Sequence, residues 1–66
     1  MKTRWTDTIE IAIALDEKHP DVDPLTISFP ELMQWCLQLP EFDDVEERCG
    51  EKILEAIQMA WIDEKD

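Results

Sequence analysis

Glu51-Lys52-Ile53-Leu54-Glu55-Ala56-Ile57-Gln58-Met59-Ala60-Trp61-Ile62-Asp63-Glu64 is the stretch that decides the fold. At about 100° per residue, Ile53, Leu54, Ile57, Ala60 and Trp61 fall on one side. The spacing predicts a helix that starts after Gly50 and runs to about Glu64. Glu51 suits the positive end of its dipole and Lys65 the negative end. Met59 and Ile62 point away from the apolar side. A short helix with one such face is stable only when something covers it, so the rest of the chain is read for its cover.

Upstream, Leu32, Trp35, Cys36 and Leu39 stand at i, i+3, i+4 and i+7 and predict a helix over about Glu31 to Leu39, stopped by Pro40. It starts in one of two ways. Either Ser28 caps it, with Glu31 at N3 and an Ile27–Leu32 hydrophobic staple, or it begins at Pro30, because a residue before proline is pushed out of the α region. Nearer the N-terminus, Asp7 to Lys18 predicts a first helix, capped by Thr6 or Asp7, with Asp7 and Glu10 approximating a capping box. His19-Pro20 ends it. Between these helices, Leu25-Thr26-Ile27 suits one short strand or an extended turn. No strand ladder is visible, so the expected class is all-α: three helices, with little or no sheet.

The 66 residues make a single domain, small enough to be marginally stable. Seventeen acids against six bases give a net charge of −11. That excludes ordinary nucleic-acid binding, which is built from Lys and Arg, and disfavours an anionic membrane surface. Mutual repulsion favours a monomer. The acidity does not mean disorder, since hydrophobic residues are 44% of the chain, with three Trp, two Phe and seven Ile. No apolar run reaches the roughly 18 residues of a membrane span. Met1-Lys2-Thr3-Arg4-Trp5 has basic residues but no apolar signal core after them. A cytoplasmic protein is expected. Cys36 and Cys49 form neither a disulfide framework nor a zinc pattern.

The linker Glu41-Phe42-Asp43-Asp44-Val45-Glu46-Glu47 carries five acids in seven residues. Phe42 and Val45 are expected to pin it to the core and so fix its carboxylates in space. No catalytic constellation appears: the single His19 has no Ser or Cys nearby in sequence. Cys36 reads as a small buried hydrophobe. The acids before Cys49 should raise its pKa and blunt it. A chain this short leaves no room for an enclosed substrate pocket, so a non-enzyme is expected. Asp21-Val22-Asp23 looks like the start of a calcium loop, but Thr26 and Leu32 stand where an EF-hand needs Gly and Glu. On the first helix, Ile11, Ala12 and Leu15 make one face. Ile9 and Ile13 point elsewhere, beside Glu10, Asp16 and Glu17. That is either a second buried side or an apolar patch rimmed by acids, the form a docking surface for a basic partner takes.

Trp5-Thr6-Asp7, Pro20-Asp21-Val22-Asp23-Pro24, Gln34-Trp35, Phe42-Asp43-Asp44 and the Glu51–Glu64 stretch, in this order and spacing, resemble the IscX family of iron–sulfur cluster assembly proteins from end to end. The resemblance implies a small helical fold related to a modified winged helix. It implies an acidic adaptor that binds the cysteine desulfurase supplying sulfur, competes there with frataxin, and binds Fe2+ weakly and exchangeably. Ferrous iron sits low in the affinity order for such hard oxygen donors. The chain departs from the family pattern at Pro30-Glu31, where Thr-Asp is usual, and at Cys49-Gly50, where Ser-Asn is usual. It departs again at Ile9 and Ile13, where polar residues are expected.

On that basis the partner-binding carboxylates are expected to be Glu10, Glu17, Glu41, Asp43, Asp44, Asp63 and Glu64. A subset of Glu10, Glu17, Asp21, Asp23, Asp43 and Asp44 is expected to hold Fe2+. A second reading fits composition and charge equally well: an acidic nucleic-acid mimic that blocks a basic DNA- or RNA-binding protein.

Overall fold

A computed structural model describes residues 2–65 and contains three α-helices: α1 (Thr8–Lys18), α2 (Phe29–Leu37) and α3 (Glu51–Lys65). The class is all-α, as expected. The only β pairing among the described residues is an isolated parallel bridge between Thr3 and Phe42, with no hairpin of the kind that forms a wing. α1 lies mainly against α3, and α2 packs less extensively on both.

The core holds Trp5, Ile11, Ala12, Leu15, Ile27, Leu32, Cys36, Leu39, Leu54, Ile57 and Trp61. Leu54, Ile57 and Trp61 come from the apolar side of α3 predicted by its spacing, with Ile53 and Ala60 half-buried beside them. Met59 is exposed and Ile62 half-buried. Trp5 and Trp61 are fully buried. Trp35 is half-buried and stacks on His19 with ring centroids 4.0 Å apart.

Helix ends follow local rules, with two instructive departures. α2 uses the Ser28 cap: the Ser28 Oγ accepts from the Glu31 backbone N–H at 3.4 Å. Phe29 is therefore helical before Pro30, whose missing N–H costs nothing in a first turn. The helix ends at Leu37, two residues short of the expected Leu39. Pro40 keeps Leu39 out of the α region, and the Leu39 N–H instead closes a tighter turn onto the Cys36 carbonyl at 3.2 Å. Leu39 stays buried all the same.

At α1, Asp7 stands in the N-cap position but makes no side-chain cap, so the capping box is absent. Its carboxylate turns back to accept from the Arg4 N–H at 3.0 Å. The Leu25–Ile27 segment is a turn, not a strand. Asp23 Oδ1 accepts from the Leu25 N–H at 3.0 Å, and the Asp23 carbonyl accepts from the Thr26 N–H at 3.0 Å. An aspartate closing a turn on its own backbone is a common solution.

Gly50 occupies the N-cap position of α3, where its carbonyl accepts the Leu54 N–H at 3.1 Å. Its φ is not positive, and a Cβ there would meet nothing within 4 Å. Nothing in the backbone calls for glycine. Gly50→Asn should therefore stabilise the domain by about 0.5–1 kcal/mol, by adding a cap and restricting the unfolded chain. That corresponds to a rise in Tm of about 2–8 °C for a domain of this size. Thermal unfolding followed by circular dichroism checks it; an unchanged or lowered Tm would show that α3 starts differently.

Candidate functional site

One face of α1 and the chain leaving α2 flank an open groove of about 550 Å3. The α1 wall is Glu10, Ile13, Ala14, Glu17 and Lys18. Glu10, Ile13, Ala14 and Glu17 stand at i, i+3, i+4 and i+7, a single stripe along the helix. The opposite wall is Leu39, Pro40, Glu41 and Phe42, with Thr3 at the edge. The floor is apolar and the rim carries three acids and one base. Ile13 is half-buried in this groove, and Ile9, one turn earlier on α1, is 64% exposed. The patch next to Glu10 and Glu17 is thus a surface feature and not a second buried side of α1.

The far wall is held by the N-terminal segment. Thr3 donates its N–H to the Glu41 carbonyl at 2.8 Å, and its own carbonyl accepts from the Asp43 N–H at 2.8 Å. Trp5 packs edge-on against Phe42 with centroids 4.6 Å apart, and its Nε1–H donates to the Val45 carbonyl at 2.7 Å. Phe42 is half-buried against the core, as expected. Val45 differs from expectation: its side chain is 50% exposed, and the residue anchors the linker through its backbone. The cause is the extended backbone, in which neighbouring side chains point to opposite sides. Asp44 takes the inner side, so Val45 is turned out.

The predicted carboxylates separate into groups. Glu10, Glu17 and Glu41 meet at the groove, and none of them has an ion-pair partner among the described residues. Asp43, next in the chain, is exposed and faces Lys2 at 3.5 Å. Asp44 is a structural carboxylate. Its Oδ1 accepts from the Val45 N–H at 2.8 Å, its Oδ2 accepts from the Trp5 N–H at 3.2 Å, and Arg48 Nε lies 3.8 Å away. Asp21 and Asp23 lie in the turn after α1. Asp63 and Glu64 are exposed near the end of α3. Among the described residues no three of His, Cys, Asp or Glu converge as a metal site, so the expected iron ligands are not brought together.

Sequence reasoning missed Asp16. It accepts from Lys65 Nζ at 2.9 Å and from Trp61 Nε1–H at 3.3 Å, while Lys65 also donates to the Pro20 carbonyl at 2.9 Å. This ties the end of α3 to the exit of α1. The signal was present as an acid beside the apolar face of α1, but its partners Trp61 and Lys65 are 45 and 49 residues away.

Hydrogen bonds govern the two perturbed carboxyls. The Lys65 ammonium, and after it the Trp61 indole, holds Asp16 below the usual aspartate range against the opposing effect of burial. The Val45 N–H, with further help from Trp5 and Arg48, does the same for Asp44. A carboxyl whose pKa is lowered on folding stabilises the fold above its unfolded value, near 4, and that contribution is lost as pH falls through the folded value. The Tm is therefore expected to drop below about pH 4, and less steeply in Asp44→Asn and Asp16→Asn. Equal slopes in all three proteins would remove these two groups from the acid transition.

Neither thiol is activated by its surroundings. Burial pushes Cys36 up to about 12, and burial followed by Glu46 raises Cys49. Both are unbridged. His19 is lowered by burial and then by Lys18, and its ring stacks on Trp35. Among the described residues no helix is long and apolar enough to cross a membrane.

Comparison with known proteins agrees with the end-to-end resemblance. An uncharacterized protein of Pseudomonas aeruginosa is 56% identical over 66 residues, covering all of both chains. The family model described as iron–sulphur cluster assembly matches residues 3–66. The chain therefore belongs to the iron–sulphur cluster assembly family typified by IscX.

Proposed function

We propose that this protein is a non-enzymatic acidic adaptor of iron–sulphur cluster assembly that docks the α1 groove face on a basic surface of the cysteine desulfurase. It acts in the cytoplasm as a monomer and competes with frataxin for that surface. The observation that carries the reading is that Glu10, Glu17 and Glu41, without ion-pair partners among the described residues, line one partly apolar groove in a member of an assembly family. Acidic groups around an apolar centre favour fast, salt-sensitive association with a basic partner. Asp43 extends the face, while Asp63 and Glu64 add to the long-range field.

Ferrous iron enters this reading as a loosely held, exchangeable ion. The carboxylates do not fit a resident metal site, because no three donors converge among the described residues. The nucleic-acid-mimic reading has no feature of its own in its favour beyond charge.

An amide NMR titration of the labelled protein with the desulfurase, at low and then high salt, tests the proposal. Shifts centred on Glu10–Lys18 and Glu41–Asp43 that fade with salt are expected, as is their reversal by added frataxin. Silence at low salt would sink the adaptor reading, and reversal by nucleic acid but not by frataxin would favour the mimic.

A further inference from the structure

We infer that the groove between α1 and the Leu39–Phe42 wall is a seat for one arginine side chain carried on an exposed segment of the basic partner. This rests on the adaptor reading and names the chemistry of its central contact. Three features of the groove select such an occupant.

The first is that the floor and the rim want different things. Ile13, Ala14 and Phe42 offer apolar surface, while Glu10, Glu17 and Glu41 offer charge. A bare inorganic cation satisfies only the rim and an aliphatic residue only the floor. A long basic side chain satisfies both, laying its methylene stem on apolar surface and its head among the acids.

The second is the disposition of the acids. Glu41 stands on the wall opposite Glu10 and Glu17. A guanidinium has five donors in a planar fork, so it can address more than one carboxylate, and it stacks on aromatic rings such as Phe42. A lysine ammonium is a strongly hydrated point charge and is the poorer fit.

The third is local charge. Lys2, Arg48 and Lys65 face Asp43, Asp44 and Asp16, leaving Lys18 as the single base lining the groove against three acids. The groove is thus under-neutralised where its floor is apolar. Its volume of about 550 Å3 admits the side chain together with the backbone that carries it. The charge also rules out an anionic occupant.

The test uses the protein alone, titrated by NMR with N-acetyl-arginine amide, N-acetyl-lysine amide and guanidinium chloride at matched ionic strength. Arginine amide is expected to shift Ile13, Ala14 and Phe42 saturably, and several-fold more tightly than the other two. Ala14→Phe, which fills the groove without changing charge, should abolish those shifts. Ile13→Ser, which strips the floor, should weaken them several-fold; it serves as the second variant if Ala14→Phe loses its helical circular dichroism. Equal responses to all three cations, spread over exposed acids such as Asp21 and Asp63, would overturn the proposal.

The two readings fail separately. If arginine amide saturates the groove but the desulfurase does not bind, the arginine seat stands and the adaptor role falls. If the desulfurase binds Ala14→Phe as tightly as the native protein, the seat falls and the adaptor role stands.

Discussion

Trp5→Ala is expected to abolish cooperative folding. Natural domains hold about 0.05–0.15 kcal/mol per residue, which is roughly 3–10 kcal/mol for a chain of this length. Truncating a fully buried tryptophan costs about 3–5 kcal/mol. The indole here is 1% exposed, stands edge-on to Phe42, and donates to the Val45 carbonyl, so its loss also releases the linker. The expected result is a broad, early thermal transition by circular dichroism. Trp5→Phe keeps most of the ring and loses the Nε1–H bond, so it should remain folded with a loss of about 1–2 kcal/mol. A Trp5→Ala variant melting sharply within a few degrees of the native protein would show that the N-terminal segment is an accessory. The same experiment bears on function, because Thr3 and Trp5 hold the wall of the groove that carries Glu41 and Phe42.

What was legible in the sequence was mostly local. The α3 face, the all-α class, the end of α1 before Pro20 and the Ser28 cap, one of the two starts offered for α2, depend on residues within about two helical turns of one another, and each is found in the structure. The family was legible because a short chain repeats its pattern from end to end. The misreadings concern choices that distant residues make. Asp43 and Asp44 are adjacent and chemically identical, yet one meets Lys2 at the surface and the other takes up the Trp5 and Val45 N–H groups. Val45 and Arg48 are close in sequence to both and name neither in advance; the N-terminal segment, 39 residues from Asp44, completes the choice with the Trp5 N–H. Asp7 is a local exception: it fits the cap pattern, but the Arg4 N–H, three residues away, captures its carboxylate. The groove has the same origin. Its α1 stripe was visible as Ile13 between acids, but its far wall comes from the chain after α2, and only folding joins the two.

The separation of Asp44 from the groove acids determines how the docking face is probed by mutation. Reversing Asp44 would disturb folding and binding together. Glu10→Lys with Glu17→Lys leaves the fold almost untouched. Both residues are exposed, and lysine is as good a helix former as glutamate. Their effects on the helix dipole also oppose each other. Losing an acid from the first turn of α1 costs about 0.3–1 kcal/mol, and placing a base in its last turn returns a similar amount.

At the docking face the two changes add instead of cancelling. Each converts an attraction to a basic partner into a repulsion, so together they should remove about 2–3 kcal/mol, or about 30–150-fold in affinity for the desulfurase at low salt. Part of the loss lies in the association rate, since rim charges steer the encounter. The deficit should shrink as salt shortens the screening length from about 10 Å at 0.1 M to 3 Å at 1 M. Asp63→Lys with Glu64→Lys changes net charge by the same amount outside the groove, and a loss of only a few-fold is expected. Surface plasmon resonance or isothermal titration across a salt series reads both variants. If the two pairs lose affinity equally, net charge alone drives binding and the α1 face has no privileged role. If the Glu10 and Glu17 pair loses far more, the desulfurase reads position as well as charge, as required of an adaptor that shares one surface with a competitor.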